Sequence, residues 1–115
     1  MHILFVTATR IGDPVECAAL GRVWGDALAS LAVSSTKSMH GHLLGAAGAL
    51  EAAITVLALY RRALPPNMHC DQPDPECNVA LVREPGRAAP NLQAAISNSF
   101  AFGGTNAVLV FRRAA

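Results

Sequence analysis

Charge is scarce in this sequence: 15% of its 115 residues are Asp, Glu, Lys or Arg, and the formal net charge is +1. A balance so close to zero excludes any general electrostatic attraction to nucleic acid or to an anionic lipid surface. Aromatic residues are scarcer still, at 5%, and the cysteines number three, an odd count that cannot pair off completely. Residues 1–6 are too short for the basic start, apolar core and cleavage site of a secretory signal. Reduced thiols and a cytoplasmic setting are therefore expected. Long apolar runs are lacking too. The longest, residues 43–59, is broken by Glu51 and Thr55 and falls short of the roughly 20 residues that cross a bilayer. No membrane span is expected.

What the chain has is apolar residues, 52% of the total. That proportion, with so little charge, excludes a disordered chain. Its length fits one domain. A compact chain of 12.0 kDa presents about 6,000 Å² of surface. The apolar share is more interior than so small a body hides, so the chain is expected to sit against something.

Residues 2–6 predict a buried strand and residues 7–12 a loop. Asp13 as N-cap, Pro14 at the first helical position and Glu16 in the first turn predict a helix start. Val15, Leu20, Val23, Trp24 and Leu28 carry helical spacing on to about Ser30. Residues 31–34 predict a second strand and residues 35–38 a polar loop. A long helix follows over residues 41–63, apolar on nearly every side, a pattern that predicts burial all round. Gly41, Gly45 and Ala49 offer it small surfaces for another backbone, and Pro65 and Pro66 end it. Residues 67–76 predict a loop, 78–82 a strand and 84–90 turns. Residues 93–98 and 107–111 predict a hairpin closed by an eight-residue loop. The order β-α-β-α-β-β-β argues for an α/β fold, a layered sheet with a mixed edge.

Three segments can carry chemistry. His40 and His42 could ligate a metal with His69, Cys70 or Cys77, but that set follows no zinc spacing, and no metal is expected. His42 could cap the following helix. Alternatively, held neutral at the positive end of the helix dipole, it could donate to a carbonyl oxygen. Lys37 is either solvated or a cation held between a buried strand and a buried helix. Phe100 and Phe102 beside Gly103 and Gly104 could gather aromatic faces and backbone N–H groups into an oxyanion hole, or only plug a hairpin loop. Gly41, Gly45 and Gly48 do not follow the dinucleotide-binding spacing, so no nucleotide cofactor is expected.

Residues 33–48, Val-Ser-Ser-Thr-Lys-Ser-Met-His-Gly-His-Leu-Leu-Gly-Ala-Ala-Gly, closely resemble the lysine–histidine segment of type II β-ketoacyl-acyl carrier protein synthases. Residues 98–106, Asn-Ser-Phe-Ala-Phe-Gly-Gly-Thr-Asn, resemble their C-terminal Gly-Phe-Gly-Gly loop, with Ala101 where glycine is more usual. Residues 12–16 and 67–77 fit the same family, and the similarity runs in order from about Gly12 to Arg113. The resemblance implies the C-terminal half of a thiolase-like α/β fold, with the long Gly/Ala-rich helix in its middle layer. It implies decarboxylative Claisen condensation of acyl and malonyl thioesters on acyl carrier protein, without cofactor or metal. By the same resemblance His42 hydrogen-bonds the malonyl thioester carbonyl, and Lys37 organises the site electrostatically. Phe102 is the gate whose backbone N–H shares the oxyanion hole. Phe100, Gly103 and Gly104 form the substrate side of that loop, and Glu16 is the buried acid near the lysine.

Two departures bear on activity. The family's nucleophilic cysteine belongs to a half outside these residues, and none of Cys17, Cys70 and Cys77 sits in the nucleophile motif. Counting back from Asp13, the first catalytic histidine falls on Phe5, with Val6 in place of the following glycine. The 115 residues are thus expected to form one truncated ketosynthase domain without condensing activity of its own. A subunit of a split enzyme, or a non-catalytic module that binds acyl chains or carrier protein, are the alternatives. Residues 1–13 resemble the start of lipopolysaccharide heptosyltransferases, in which Asp13 matches a candidate general base. A glycosyltransferase-like first strand joined to a ketosynthase half is the expectation that follows. Because the 43–63 helix would expose a large apolar face, a homodimer or larger assembly is expected to cover it.

Overall fold

The structure, a computed structural model, describes residues 3–4 and 9–114. Positions 2, 5 and 6 of the expected first strand, with the Phe5 and Val6 departures and about half of the heptosyltransferase-like start, lie outside the described residues. The elements in order are β1 (Ile3–Leu4), α1 (Gly12–Trp24), β2 (Ala32–Val33), α2 (Lys37–His40), α3 (Ala47–Arg61), β3 (Ala63–Leu64), β4 (Ala80–Leu81), β5 (Arg87–Ala88), β6 (Ala94–Phe100) and β7 (Asn106–Arg112). Short 3₁₀ turns cover Gly25–Ser30, Leu44–Ala46 and Phe102–Gly104.

Parallel and antiparallel pairing coexist. β1, β2 and β4 form a parallel sheet in that order, while β3 pairs with β5 and β6 with β7 antiparallel. β6 is the middle of the layers. Its residues 95–98 are buried in unbroken sequence, so both of its faces are covered. Ala95 packs in a cluster with Ala58, Leu59 and Leu64 on the α3 side. Its neighbour Ile96 points the other way, into a cluster with Leu20 of α1, Leu31 and Val33. Successive side chains on opposite faces, each meeting a helix, give an α-β-α layering.

α1 is capped differently from the expected Asp13. Thr9 Oγ1 accepts the Gly12 N–H at 2.9 Å, and Asp13 Oδ1 accepts the Thr9 N–H at 2.8 Å. Thr9 is the cap, and Asp13 returns the bond from inside the first turn, a variant of the capping box. The helix buries Glu16, Cys17 and Leu20 but leaves Val15 and Val23 exposed.

The long helix also departs from expectation. Regular α-helix begins at Ala47, not Gly41, after the Leu44–Ala46 turn. It is not buried all round: Ala47, Glu51, Thr55, Ala58 and Leu59 face inward, while Val56, Leu57 and Tyr60 are exposed. By length and composition the 18 residues Leu44–Arg61 could cross a membrane; 28% of the stretch is buried in the fold, and its inner face carries the polar Glu51 and Thr55. Of the three glycines expected to offer this helix small surfaces or open it, Gly48 alone has a neighbour near its Cβ position, Ser99 Oγ at an ordinary contact distance of 3.6 Å, whereas at Gly41 and Gly45 a Cβ would meet nothing within 4 Å.

The hairpin is longer than predicted. The β6–β7 register runs out to Phe100 opposite Asn106, so five residues close it rather than eight. β7 is exposed along nearly its whole length, Val108 and Val110 on one face and Leu109 on the other. The total surface is 7150 Å², roughly a fifth more than a compact chain of this mass presents. Large apolar side chains are exposed on β7 and the outer side of α3, and also at Ile11, Val15, Val23, Leu44 and Phe102.

Candidate active site

Contacts between neighbouring elements assemble the segments around the N-terminal part of α3. Lys37 joins α2 to α3 through an ion pair of its Nζ with Glu51 Oε1. At Gly48, α3 lies beside Ser99 at the end of β6. Asn98, one residue earlier, donates from Nδ2 to Glu16 Oε1 at 3.2 Å and so brings in α1. His42 lies between α2 and α3, five residues after the lysine.

Lys37 is not in a loop but opens α2, and it is 9% exposed. The segment before it is sunk in the fold. Ser34 Oγ donates to the Pro65 carbonyl at 2.6 Å, and the Ser35 N–H donates to Asn67 Oδ1 at 2.8 Å. Asn67 Nδ2 in turn donates to the carbonyls of Val33 and Val82, each at 3.0 Å. A lysine fixed at such depth needs a counter-ion, because an uncompensated buried charge is strongly destabilising. Glu51, at 2% exposed, supplies it. In the sequence Glu51 reads only as a break in an apolar helix, 14 residues from its partner. Its signal was the rarity of an unpaired acid on a face otherwise buried.

His42 is exposed, and its Nδ1 accepts the Leu44 N–H at 3.0 Å. A ring nitrogen that accepts carries no proton, so the proton of the neutral ring is on Nε2, which has no partner among the described residues. The two readings of His42 thus coexist: one nitrogen caps the 3₁₀ turn, and the other is left as a donor. Leu44 stands at φ 50, an unusual backbone for leucine, and this conformation belongs to the turn that meets Nδ1. His40 is different. Its Nδ1 donates to the Gly41 carbonyl at 2.8 Å and its Nε2 lies 3.0 Å from Thr36 Oγ1, so both ring nitrogens are engaged. Among the described residues no group of three or more His, Cys, Asp or Glu is arranged to hold a metal ion.

The Phe100–Gly104 loop closes on a bond from the Ala101 N–H to the Thr105 carbonyl at 2.9 Å. Gly103 and Gly104 take φ 75 and 77, a backbone that glycine alone adopts easily. Ala101, the departure from the usual glycine, sits at φ −114 and ψ 165, extended backbone that any residue accommodates. Phe102 projects from the loop at 95% exposed, and Phe100 at 39%. Asn98, like Glu51 given no site role by the sequence reading, is buried, and its Oδ1 has no partner among the described residues.

Residues 6–71 match the family described as "Beta-ketoacyl synthase, C-terminal domain". The chain belongs to that family. It is 47% identical over 107 residues to 3-oxoacyl-[acyl-carrier-protein] synthase 2 of Coxiella burnetii, covering 93% of this chain and 26% of that protein. It is 45% identical over the same length to nodulation protein E of Rhizobium leguminosarum bv. trifolii, with the same coverage. The fold superposes on a beta-ketoacyl synthase from Burkholderia phymatum at TM-score 0.89 and 37% identity, over 99% of this chain and 28% of that one. A type II polyketide ketosynthase solved in complex with its acyl-carrier protein matches at TM-score 0.92 and 28% identity, over 98% and 28%. The chain spans about a quarter of the curated relatives it matches. The expectation of the C-terminal half of a type II ketosynthase with a thiolase-like fold is therefore met. Within this domain, the buried Lys37–Glu51 pair, the Nε2 donor of His42 and the glycine loop below Phe102 belong to one ketosynthase half.

Proposed function

We propose that this chain supplies the malonyl-activating half of a ketosynthase site, for chain elongation by decarboxylative Claisen condensation. The observation that carries the reading is the Leu44 N–H to His42 Nδ1 hydrogen bond, which leaves Nε2–H as donor five residues after the lysine of a buried lysine–glutamate pair. A malonyl thioester carbonyl accepts from Nε2–H. As the carboxylate leaves as carbon dioxide, the electron pair of the broken C–C bond moves into the enolate that this donor stabilises. The Lys37–Glu51 pair positions the segment and adds no proton to it. The enolate carbon then attacks the acyl-cysteine thioester; the backbone N–H of Phe102 helps to hold the oxyanion that forms, whose collapse breaks the C–S bond and expels the cysteine thiolate.

The acylated cysteine comes from a complementary half. That half covers the apolar faces of α3 and β7, and its existence is argued from relatives roughly four times the length of this chain. By itself the 115-residue chain is expected to be inactive in condensation. A ketosynthase in this set of similar structures was solved with its chain length factor, and another with its acyl-carrier protein; carrier-bound thioesters are the proposed substrates here. Without the complement, two copies are expected to pair through the same faces.

The test is carbon dioxide release from malonyl-carrier protein, measured for the chain alone and mixed with a cysteine-bearing ketosynthase half. Release only from the mixture supports the reading. Condensation by the chain alone, or none from a mixture that co-purifies, overturns it.

A further inference from the structure

Outside this site the three cysteines, scattered at positions 17, 70 and 77, are brought to one place. All three line a cavity of about 210 Å³ between α1 and the loop before β4, together with Asp13, Asn67 and Asp74. Cys17 comes from the inner side of α1 and is buried, while Cys70 and Cys77 are half-buried. The Cys17 and Cys77 thiols stand within side-chain hydrogen-bonding range of each other. The loop holds Cys77 in place by two backbone bonds, from its N–H to the Asp74 carbonyl and from the Val79 N–H to its own carbonyl, both 2.9 Å. Cys70 is anchored elsewhere, its carbonyl accepting from Arg83 Nη1 at 2.8 Å.

We infer that Cys17 and Cys77 are a dithiol pair that low-molecular-weight disulfides convert to a reversible intramolecular disulfide. Cys77 is the more accessible of the two sulfurs, so it is the one that attacks once ionised. Its thiolate attacks one sulfur of the oxidant, whose S–S bond breaks and releases one thiolate. Cys17 then gives up its proton and attacks the Cys77 sulfur, which forms the protein disulfide and expels the second thiolate. Two electrons pass from the protein thiols to the oxidant, and the two protons end on the two released small thiols. The new bond ties α1, which carries Glu16, to the loop whose Asn67 holds the strand leading to Lys37.

Oxidised glutathione is the probe. The native chain, Cys70→Ser and Cys77→Ser are each incubated with it, alkylated, cut with trypsin and weighed by mass spectrometry. The expected product joins peptide 11–22 to peptide 63–83, forms equally in the native chain and in Cys70→Ser, reverses with dithiothreitol and is absent from Cys77→Ser. A lasting glutathione adduct on Cys77 with Cys17 alkylated would overturn the proposal. So would a Cys70–Cys77 bridge inside peptide 63–83 of the native chain.

Discussion

Lys37 and Glu51 form an ion pair with both side chains buried, joining a four-residue helix to the core helix that follows it. The charges hold each other in place, and neither has water to fall back on.

Breaking that pair by one partner is expected to be severe. Glu51→Gln leaves the ammonium uncompensated and is expected to cost about 3–5 kcal/mol. The double variant Lys37→Met with Glu51→Leu, which removes both charges, is expected to recover most of that loss. Urea midpoints of the three proteins check this; a double variant no better than Glu51→Gln contradicts it.

His42 has the opposite character, exposed and held by one backbone bond. His42→Ala is expected to lower decarboxylation in the assembled site roughly 100-fold or more, while stability changes by less than about 1 kcal/mol. Carbon dioxide release and thermal melting, measured on the same preparation, separate the two effects.

The glycine loop gives a contrast between neighbours. Gly104→Ala places a Cβ on a left-handed backbone and is expected to cost about 1–2 kcal/mol. Ala101→Gly, on extended backbone, is expected to cost no more than about 1 kcal/mol, through the entropy of the unfolded chain. Equal losses at the two positions, in chemical denaturation, would contradict the assigned backbone.

Burial pushes the Cys17 thiol up from 9.0 to about 12, with the Cys77 thiol and the carboxylates of Glu16 and Asp13 adding to it. Below pH 9.0 the thiol is protonated whether the chain is folded or not. Between 9.0 and about 12 only the unfolded chain releases the proton, so stability falls as pH rises through that window, by up to about 4 kcal/mol in all. Cys17→Ala is expected to flatten this part of the curve. Denaturation midpoints of both proteins, under reducing conditions at several alkaline pH values, provide the check.

The uncovered faces set the last expectation. Tyr60 on α3 and Val110 on β7 are 74% and 71% exposed. Light scattering of the chain alone is expected to give a dimer or larger species, shifted toward monomer by Tyr60→Asp with Val110→Lys. A well-behaved native monomer contradicts the proposed pairing.

The sequence made legible whatever depends on local pattern. The order of the main elements, the Gly103–Gly104 turn and the special segment from Lys37 to His42 follow from composition and spacing, and the last two also from family resemblance. Boundaries were less legible where two residues compete for one task, as Thr9 and Asp13 do at the start of α1. Pairings across the fold were not legible at all. Glu51 with Lys37, Asn98 with Glu16 and Cys17 with Cys77 join positions up to 82 residues apart, and no periodicity encodes such a meeting. The two-residue strands β3 and β5 leave no pattern to read, since alternation needs a longer run. An all-round apolar helix gave no hint of its outer side, because the face meant for a partner carries the same residue types as the face turned to the core.

β7 pairs with β6 alone among the described residues, and its apolar run Ala107 to Phe111 contains no proline and no charge. Its second edge is therefore a row of backbone donors and acceptors open to an extended segment, with Arg112 at its end the one charge in the strand. Synthesis without a partner becomes a race: strand-to-strand stacking rises steeply with concentration, and docking of a complement must win it first. Dilution, low temperature or simultaneous expression of a covering half would decide the yield of native material before any catalytic residue mattered.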